Sequence, residues 1–276
     1  MVALDIAKEI SKNILMAFPP VRRARCRFRR TSTAPDVSLL DRYAYPLLRR
    51  AETVGSIRGA DVFEIGPGDN LCSGLAFLAG GARSYTCADR FPGNYTGSDA
   101  REWYRLVRAN WRGAWPNGIN PETFPHGCPV TVLPVSVENL PDVGRFDVVC
   151  SCAVGEHLSD ISAFASATAR LLRPNGFAVH MVDFSPHDCW RADYADPFIF
   201  LRFPGPLWRA MGSNRGTPNR RRLHEFDKAF TDAGLSVVVQ DQKRAYAGLP
   251  IPRRLKGMPV DSIATSEATF VLRLQP

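Results

Sequence analysis

The run Asp61-Val62-Phe63-Glu64-Ile65-Gly66-Pro67-Gly68-Asp69-Asn70, continued by Leu71-Cys72-Ser73-Gly74-Leu75-Ala76-Phe77-Leu78, constrains the fold more than any other part of the chain. It reads as a short apolar strand, a glycine turn and a helix. Glu64 falls near the carboxyl end of the strand, where open α/β sheets bind ligands. Gly66 and Gly68 allow a sharp turn and a close backbone approach. Asn70 is a candidate helix N-cap, which leaves backbone N–H groups facing an acceptor. A second strand, 82–88, ends in Asp89, placed to accept two hydrogen bonds from a ribose diol.

The turn argues against a dinucleotide. Gly74 lies too far along to be the third glycine of that fingerprint. Asp69 would repel a pyrophosphate beside it. A ligand with a ribose, an adenine and a cationic centre but no phosphate suits Glu64, Asp69 and Asp89 better, and S-adenosylmethionine is such a ligand.

On these residues the chain resembles the class I S-adenosylmethionine-dependent methyltransferases, in particular their small-molecule, type 11-like group. Glu64-Ile65-Gly66-Pro67-Gly68 looks like the first motif and Asp89 like the ribose-binding acid. Val135-Ser136-Val137-Glu138-Asn139-Leu140-Pro141 is similar to the adenine-side segment after the third strand. Phe146 to Leu158 is similar to the fourth strand and its loop, and Ala169 to Phe177 to the helix end before the fifth strand. The departures are Asn70, where a third glycine is common, and Ser136, where an aspartate is common. The resemblance spans roughly 36–240. It implies a Rossmann-like α/β fold, a seven-stranded mostly parallel sheet with helices on both faces, and S-adenosylmethionine as cofactor. Its cofactor contacts would be Glu64, Gly66, Pro67, Gly68, Asn70, Asp89, Arg90, Ser136, Val137, Cys152 and Ala153.

The chain of 276 residues can bury a substantial core. The expected division is an N-terminal helix and basic linker, 1–35, then a methyltransferase domain, 36–276, with acceptor-side insertions at about 92–128 and 184–222. The first helix should bury a stripe of Ala3, Ile6, Ala7, Ile10 and Ile14 against the domain or a partner chain and so can support a homodimer; a membrane-surface role is the minor alternative. No apolar run reaches transmembrane length, and Asp5, Lys8 and Glu9 break up any signal-peptide core. Seven cysteines without a zinc-type spacing argue for free thiols and a cytoplasmic protein. The net charge of +8 concentrates in Arg22, Arg23, Arg25, Arg27, Arg29 and Arg30 and in Arg220, Arg221 and Arg222. Such clusters can hold nucleic acid, an anionic membrane or an acidic substrate, or simply be solvated.

Aromatics crowd both insertions, Trp103, Tyr104, Trp111 and Trp115 in the first and Trp190, Tyr194, Phe198, Phe200, Phe203 and Trp208 in the second. The first is either an acceptor pocket or a satellite core under a long loop, and the second reads as a lid. Acceptor contacts are expected from Tyr43, Trp103, Tyr104, Asp183 and His187. Glu156 and His157 follow the fourth strand, where His157 can take a proton at neutral pH; the resemblance equally allows a structural role for the pair. Asp183, His187 and Asp188 can converge on an acceptor or a divalent ion, and no metal is assigned. The expected reaction is methyl transfer to a hydroxyl or amine of a small or medium acceptor, such as a sugar, glycolipid or secondary metabolite of natural-product biosynthesis. The alternatives are an RNA methyltransferase using the arginine clusters and a non-catalytic module on the same fold.

Overall fold

The computed structural model describes residues 2–21, 37–185, 198–212, 218–245, 248, 250–251 and 253–276. Seven strands form one sheet: β1 (Asp61–Ile65), β2 (Ser84–Ala88), β3 (Val130–Leu133), β4 (Phe146–Cys152), β5 (Leu172–Asp183), β6 (Leu235–Lys243) and β7 (Glu267–Leu274). Their order is β3-β2-β1-β4-β5-β7-β6. Every pairing from β3 to β5 is parallel, and β7 lies antiparallel between β5 and β6. The last two strands pair with each other, with β7, the later in sequence, inside and β6 on the edge. The strand order reverses between β1 and β4, and that switch point is where open α/β sheets accept ligands.

Alternation along the strands divides the core into two layers. Val62, Tyr85, Cys87, Val148, Cys150 and Val179 face one way, under α2 (Tyr45–Val54), α3 (Cys72–Ala79) and α4 (Ser98–Ala109). Phe63, Ile65, Val149, Ala178 and Val182 face the other, under α5 (Ile161–Leu171) and, later in the chain, α8 (Leu223–Asp232). Asp160 caps α5, accepting from Ser162 N–H at 2.8 Å and Ala163 N–H at 2.9 Å. Gly234, in the left-handed region at φ +80°, follows α8 and ends it, a conformation that favours glycine. His180 is a core residue: its ring lies between Ser151 Oγ at 2.8 Å and Thr168 Oγ1 at 3.1 Å and stacks on Phe230. Burial lowers its pKa to about 3, so the ring is neutral.

A third cluster lies apart from the sheet. Phe198, Phe200, Leu201, Phe203, Trp208, Met211, Leu255 and Ile263 gather around α6 (Ile199–Arg202), α7 (Gly205–Gly212) and α9 (Val260–Ala264). Helix α1 (Val2–Ala17) packs on α7, with Ile6 and Ile10 against this cluster and Asn13 Nδ2 donating to Ala210 O at 2.9 Å. The expected stripe is therefore rotated. Glu9 and Asn13 are buried, whereas Ala7 and Ile14 face solvent; the side chain of Ala3 lies outside the described residues.

In the first insertion, Tyr104 and Phe124 meet edge to face at 4.8 Å, and Trp111 touches Tyr45 and Trp115. All of these join the first core layer.

Candidate active site

The site forms where β1 and β4 end side by side. Glu64, Gly66, Pro67, Gly68, Asp69, Asn70, Cys72 and Ser73 frame a cavity of about 280 Å³ together with Leu39, Tyr43, Trp103, Cys152 and Ala153. A π-helical turn, Leu40–Ala44, runs directly into α2 and carries Tyr43 on the cavity wall. Such turns recur at functional sites.

Each part of the glycine turn has a physical reason. Gly66 sits at φ +71°, and a Cβ there would come within 2.6 Å of Val154 Cγ2. Gly68 is at φ +73° with open space beyond it; its N–H donates to Asp89 Oδ2 at 3.0 Å and its carbonyl accepts from Tyr95 Oη at 2.7 Å. Asn70 Oδ1 takes the Cys72 N–H at 3.0 Å, so the side chain closes the helix start although the helix begins two residues later. Ala153 holds φ +55° as the chain leaves β4, an unfavourable conformation for a residue with a Cβ, at the cavity wall. Gly66→Ala should lower stability by about 2–3 kcal/mol, strain and overlap combined, and Gly68→Ala by about 1 kcal/mol, strain alone. Urea unfolding of the two variants would measure the difference.

Glu64 dominates the electrostatics. Burial raises its pKa to about 7, against hydroxyl donation from Tyr85 and Ser73, and the nearby Asp89 carboxylate raises it further. Burial also drives the Tyr85 hydroxyl well above its ordinary value, so Tyr85 remains a donor. Its ring reaches Glu64 because α3 lies close on β2: a Cβ on Gly74 would stand 2.7 Å from the Tyr85 ring. Gly74 thus supplies close helix–strand packing from a position six residues after Gly68. Cys72 and Cys152 stay thiols, burial pushing Cys72 up to about 12 and Cys152 well above its ordinary value. The described wall carries the carboxyl groups of Glu64 and Asp69 and neither lysine nor arginine.

The other expected contacts divide. Asp89 lies at the end of β2, its carboxylate accepting from Gly68 N–H and from Phe91 N–H at 2.6 Å; a carboxylate offers further acceptor positions beyond these. Arg90 holds its guanidinium 5.1 Å from the Phe91 ring centre. The Ser136 hydroxyl is 3.1 Å from Glu138 Oε2, and Val137 is buried in the second core layer. Asp89, Arg90, Ser136 and Val137 lie outside the cavity wall, as do Glu156, His157, Tyr104 and Asp183. Tyr43 and Trp103 are on the wall, and Tyr104 is in the core. Asp183 Oδ1 accepts from Ser185 N–H at 2.7 Å. His187 and Asp188 lie outside the described residues, as do Trp190, Tyr194 and the first arginine cluster. Among the described residues, no group of three or more His, Cys, Asp or Glu side chains is placed to hold a metal ion. Sequence reasoning did not single out Leu39, Cys72, Ser73 or Tyr85 as parts of the site.

Beyond β4, the turn Gly155–His157 carries Glu156, whose carboxyl oxygens are buried without a hydrogen-bond partner among the described residues. Burial holds this carboxyl well above the ordinary range, and Asp183 adds to the effect. Asn219 secures the turn, its Nδ2 donating to Gly155 O at 2.8 Å and Leu158 O at 3.0 Å. The second arginine cluster is largely structural rather than solvated. Arg220 donates to Phe203 O at 2.7 Å and stacks on Trp208, and Arg222 is buried among backbone carbonyls; Arg221 is exposed and pairs with Glu225.

The sheet order and a ligand cleft at its switch point define the class I methyltransferase fold. A family model described as Methyltransferase domain matches residues 39–240, well over half the chain, and the chain belongs to that family. That membership makes the chain a methyltransferase. Among solved structures it is similar to a protein described as a sarcosine dimethylglycine methyltransferase from Galdieria sulphuraria, with 12% identity, 85% of this chain and 86% of that chain covered, and a TM-score of 0.51. It is also similar to the YcgJ protein from Bacillus subtilis (15% identity, 83% and 97% covered, TM-score 0.49). A third is the N-methyltransferase NodS from Bradyrhizobium japonicum WM9, in complex with S-adenosylhomocysteine (14% identity, 90% and 96% covered, TM-score 0.46). A search of curated protein sequences found no match.

Proposed function

We propose that this enzyme transfers a methyl group from S-adenosylmethionine to a hydroxyl or amine of a small or medium acceptor, such as a sugar, glycolipid or secondary metabolite. The observation that carries the reading is the cavity at the glycine turn, lined among the described residues by two carboxyl groups and by no lysine or arginine. That wall fits a ligand bearing a sulfonium and an ammonium, and it disfavours a pyrophosphate.

In this reading, Glu64 and Asp69 attract the cationic methionine end, with Gly66, Pro67, Gly68 and Asn70 keeping the turn open beside it. Asp89 holds the ribose, with Arg90 next to it; Ser136 and Val137 flank the adenine, and Cys152 and Ala153 close the β4 side. When bound, S-adenosylmethionine supplies a methyl group already activated for in-line displacement, so the protein's work is to position the reactants and exclude water. Leu39, Tyr43 and Trp103 form the apolar side of the wall that does so. His157 takes the proton from the acceptor hydroxyl or amine. Glu156 stands beside it in the same turn, its carboxyl raised well above the ordinary range by burial. Asp183 and His187 contact the acceptor. Residues 36–276 form the methyltransferase domain, preceded by the helix and basic linker. A nucleic-acid acceptor loses support because Arg220 and Arg222 spend their donors inside the protein.

Calorimetric titration of S-adenosylmethionine, S-adenosylhomocysteine and NAD against the wild type and Asp89→Ala tests the reading. Micromolar binding of both sulfur ligands, weakened about a hundredfold in the variant, is expected for the loss of a charged hydrogen-bonding partner. Asp89 also secures Gly68, so near-ultraviolet circular dichroism should accompany the titration. NAD binding alone, or no binding to folded wild type, would overturn it.

A further inference from the structure

Helix α1 wears its apolar residues on the outside. Among the described residues, seven large hydrophobic side chains are exposed, and five of them belong to α1 and the few residues after it: Leu4 (77%), Ile14 (55%), Leu15 (56%), Phe18 (55%) and Val21 (39%). At 100° per residue, Leu4, Ile14 and Leu15 fall within one stripe of α1, joined by Ala7 and Ser11 with Lys8 at its edge, and Phe18 lies one residue past the helix end. The opposite side is committed, since Ile6 and Ile10 meet the third cluster and Asn13 donates to α7. The stripe is therefore a surplus apolar face on a helix already anchored by its other side, not a core face seen edge-on.

The sequence beside it indicates what covers it. Immediately after Val21 the chain reads Arg22-Arg23-Ala24-Arg25-Cys26-Arg27-Phe28-Arg29-Arg30, six arginines in nine residues with no acid. On the helix itself Lys8 is exposed next to the stripe, and Arg209 is exposed on the neighbouring α7. A second copy of the chain would bring a second arginine run and no surplus of acid to meet it. A nucleic acid would match the arginines and leave the leucines uncovered. An anionic bilayer surface offers both an acyl boundary for Leu4, Ile14, Leu15 and Phe18 and a negative headgroup layer for the arginines.

We infer that α1 docks this enzyme on an anionic lipid surface, its Leu4–Phe18 stripe lying in the headgroup–acyl boundary. Helix α1 lies on the surface and does not cross it, and no described helix is long and apolar enough to span a membrane. The inference is independent of what the cavity binds, because neither the stripe nor its anchor includes a cavity residue.

Co-sedimentation of the full chain with phosphatidylcholine vesicles, with and without about 30% phosphatidylglycerol, tests it. Binding to the anionic vesicles should exceed that to neutral ones about tenfold and fall as salt rises from about 0.05 to about 0.5 M. The triple variant Leu4→Gln, Leu15→Gln, Phe18→Gln should bind about tenfold more weakly. Hydrogen exchange on the wild type supplies a readout independent of the variant's folding: the amides of residues 2–21 should gain protection on anionic vesicles only. The inference is overturned by wild type that ignores anionic vesicles, by equal binding to neutral ones, by a folded triple variant that binds like wild type, or by a solution dimer that the triple variant dissociates while vesicles stay bare.

Discussion

Glu64→Gln should stabilise the empty enzyme at pH 8 and weaken its hold on S-adenosylmethionine at the same pH. The pKa of Glu64 is raised from 4.5 to about 7 by burial. Its neutral form is therefore the one the empty fold prefers. The stability this preference contributes is complete below pH 4.5 and is lost as pH rises through about 7. A displacement from 4.5 to about 7 corresponds to roughly 3 kcal/mol. Glutamine keeps the shape and can still accept from Tyr85, so the variant's advantage in urea unfolding should grow from near zero at about pH 4.5 to about 3 kcal/mol at pH 8. Binding runs the other way. A cationic ligand pulls Glu64 back to its ionised form, releasing a proton in the pH range just below about 7. Wild-type affinity should therefore rise toward about tenfold per pH unit below 7 and level off above it, while the variant stays flat and binds about 10–100-fold more weakly at pH 8. A variant with wild-type affinity and wild-type pH slope would show that Glu64 faces no cation.

Much of this arrangement could be read from the sequence because its causes are local. The glycines at 66 and 68 occupy positive-φ positions next to a strand end, and an acid follows one strand later; short-range chemistry is enough to recognise such a unit. What tunes Glu64 is not local. Tyr85 lies 21 residues away and reaches the carboxyl only because Gly74 lets a helix settle on β2. Gly74 looked misplaced when the turn was compared with a dinucleotide fingerprint; its function is the one a third glycine usually has, exercised from another position. The inward stripe of α1 was misread for a related reason. Period alone marks an apolar face but does not say which side finds a partner, and here the side carrying Glu9 and Asn13 found α7.

The arginine cluster at 220–222 was illegible for the strongest version of this reason, and it carries a large expected loss of stability. Arg222→Leu should destabilise the protein by about 4 kcal/mol, a drop in melting temperature of roughly 10 °C for a chain of this size. Arg222 is one of the largest fully buried side chains, 1% exposed. It donates to Phe184 O at 2.8 Å and to Ile263 O at 3.1 Å, bonds Thr265 O as well, and lies over the Phe184 ring. These acceptors are 38, 41 and 43 residues away, just past β5, in the last turn of α9 and between α9 and β7, so no local pattern announces them. Leucine would fill part of the volume and leave three buried carbonyls without their donor, and each such loss costs about 1–3 kcal/mol before relaxation. Lysine restores one charge but not the planar fork, and Arg222→Lys should recover less than half of the loss. Calorimetry beside a salt titration with RNA separates this role from the surface reading of the cluster. A structural Arg222 moves the melting temperature and leaves RNA binding where it was, whereas an acceptor-binding Arg222 would keep the melting temperature and flatten the salt dependence. Three carbonyls drawn from two distant segments leave the guanidinium no geometry with which to reach a phosphate.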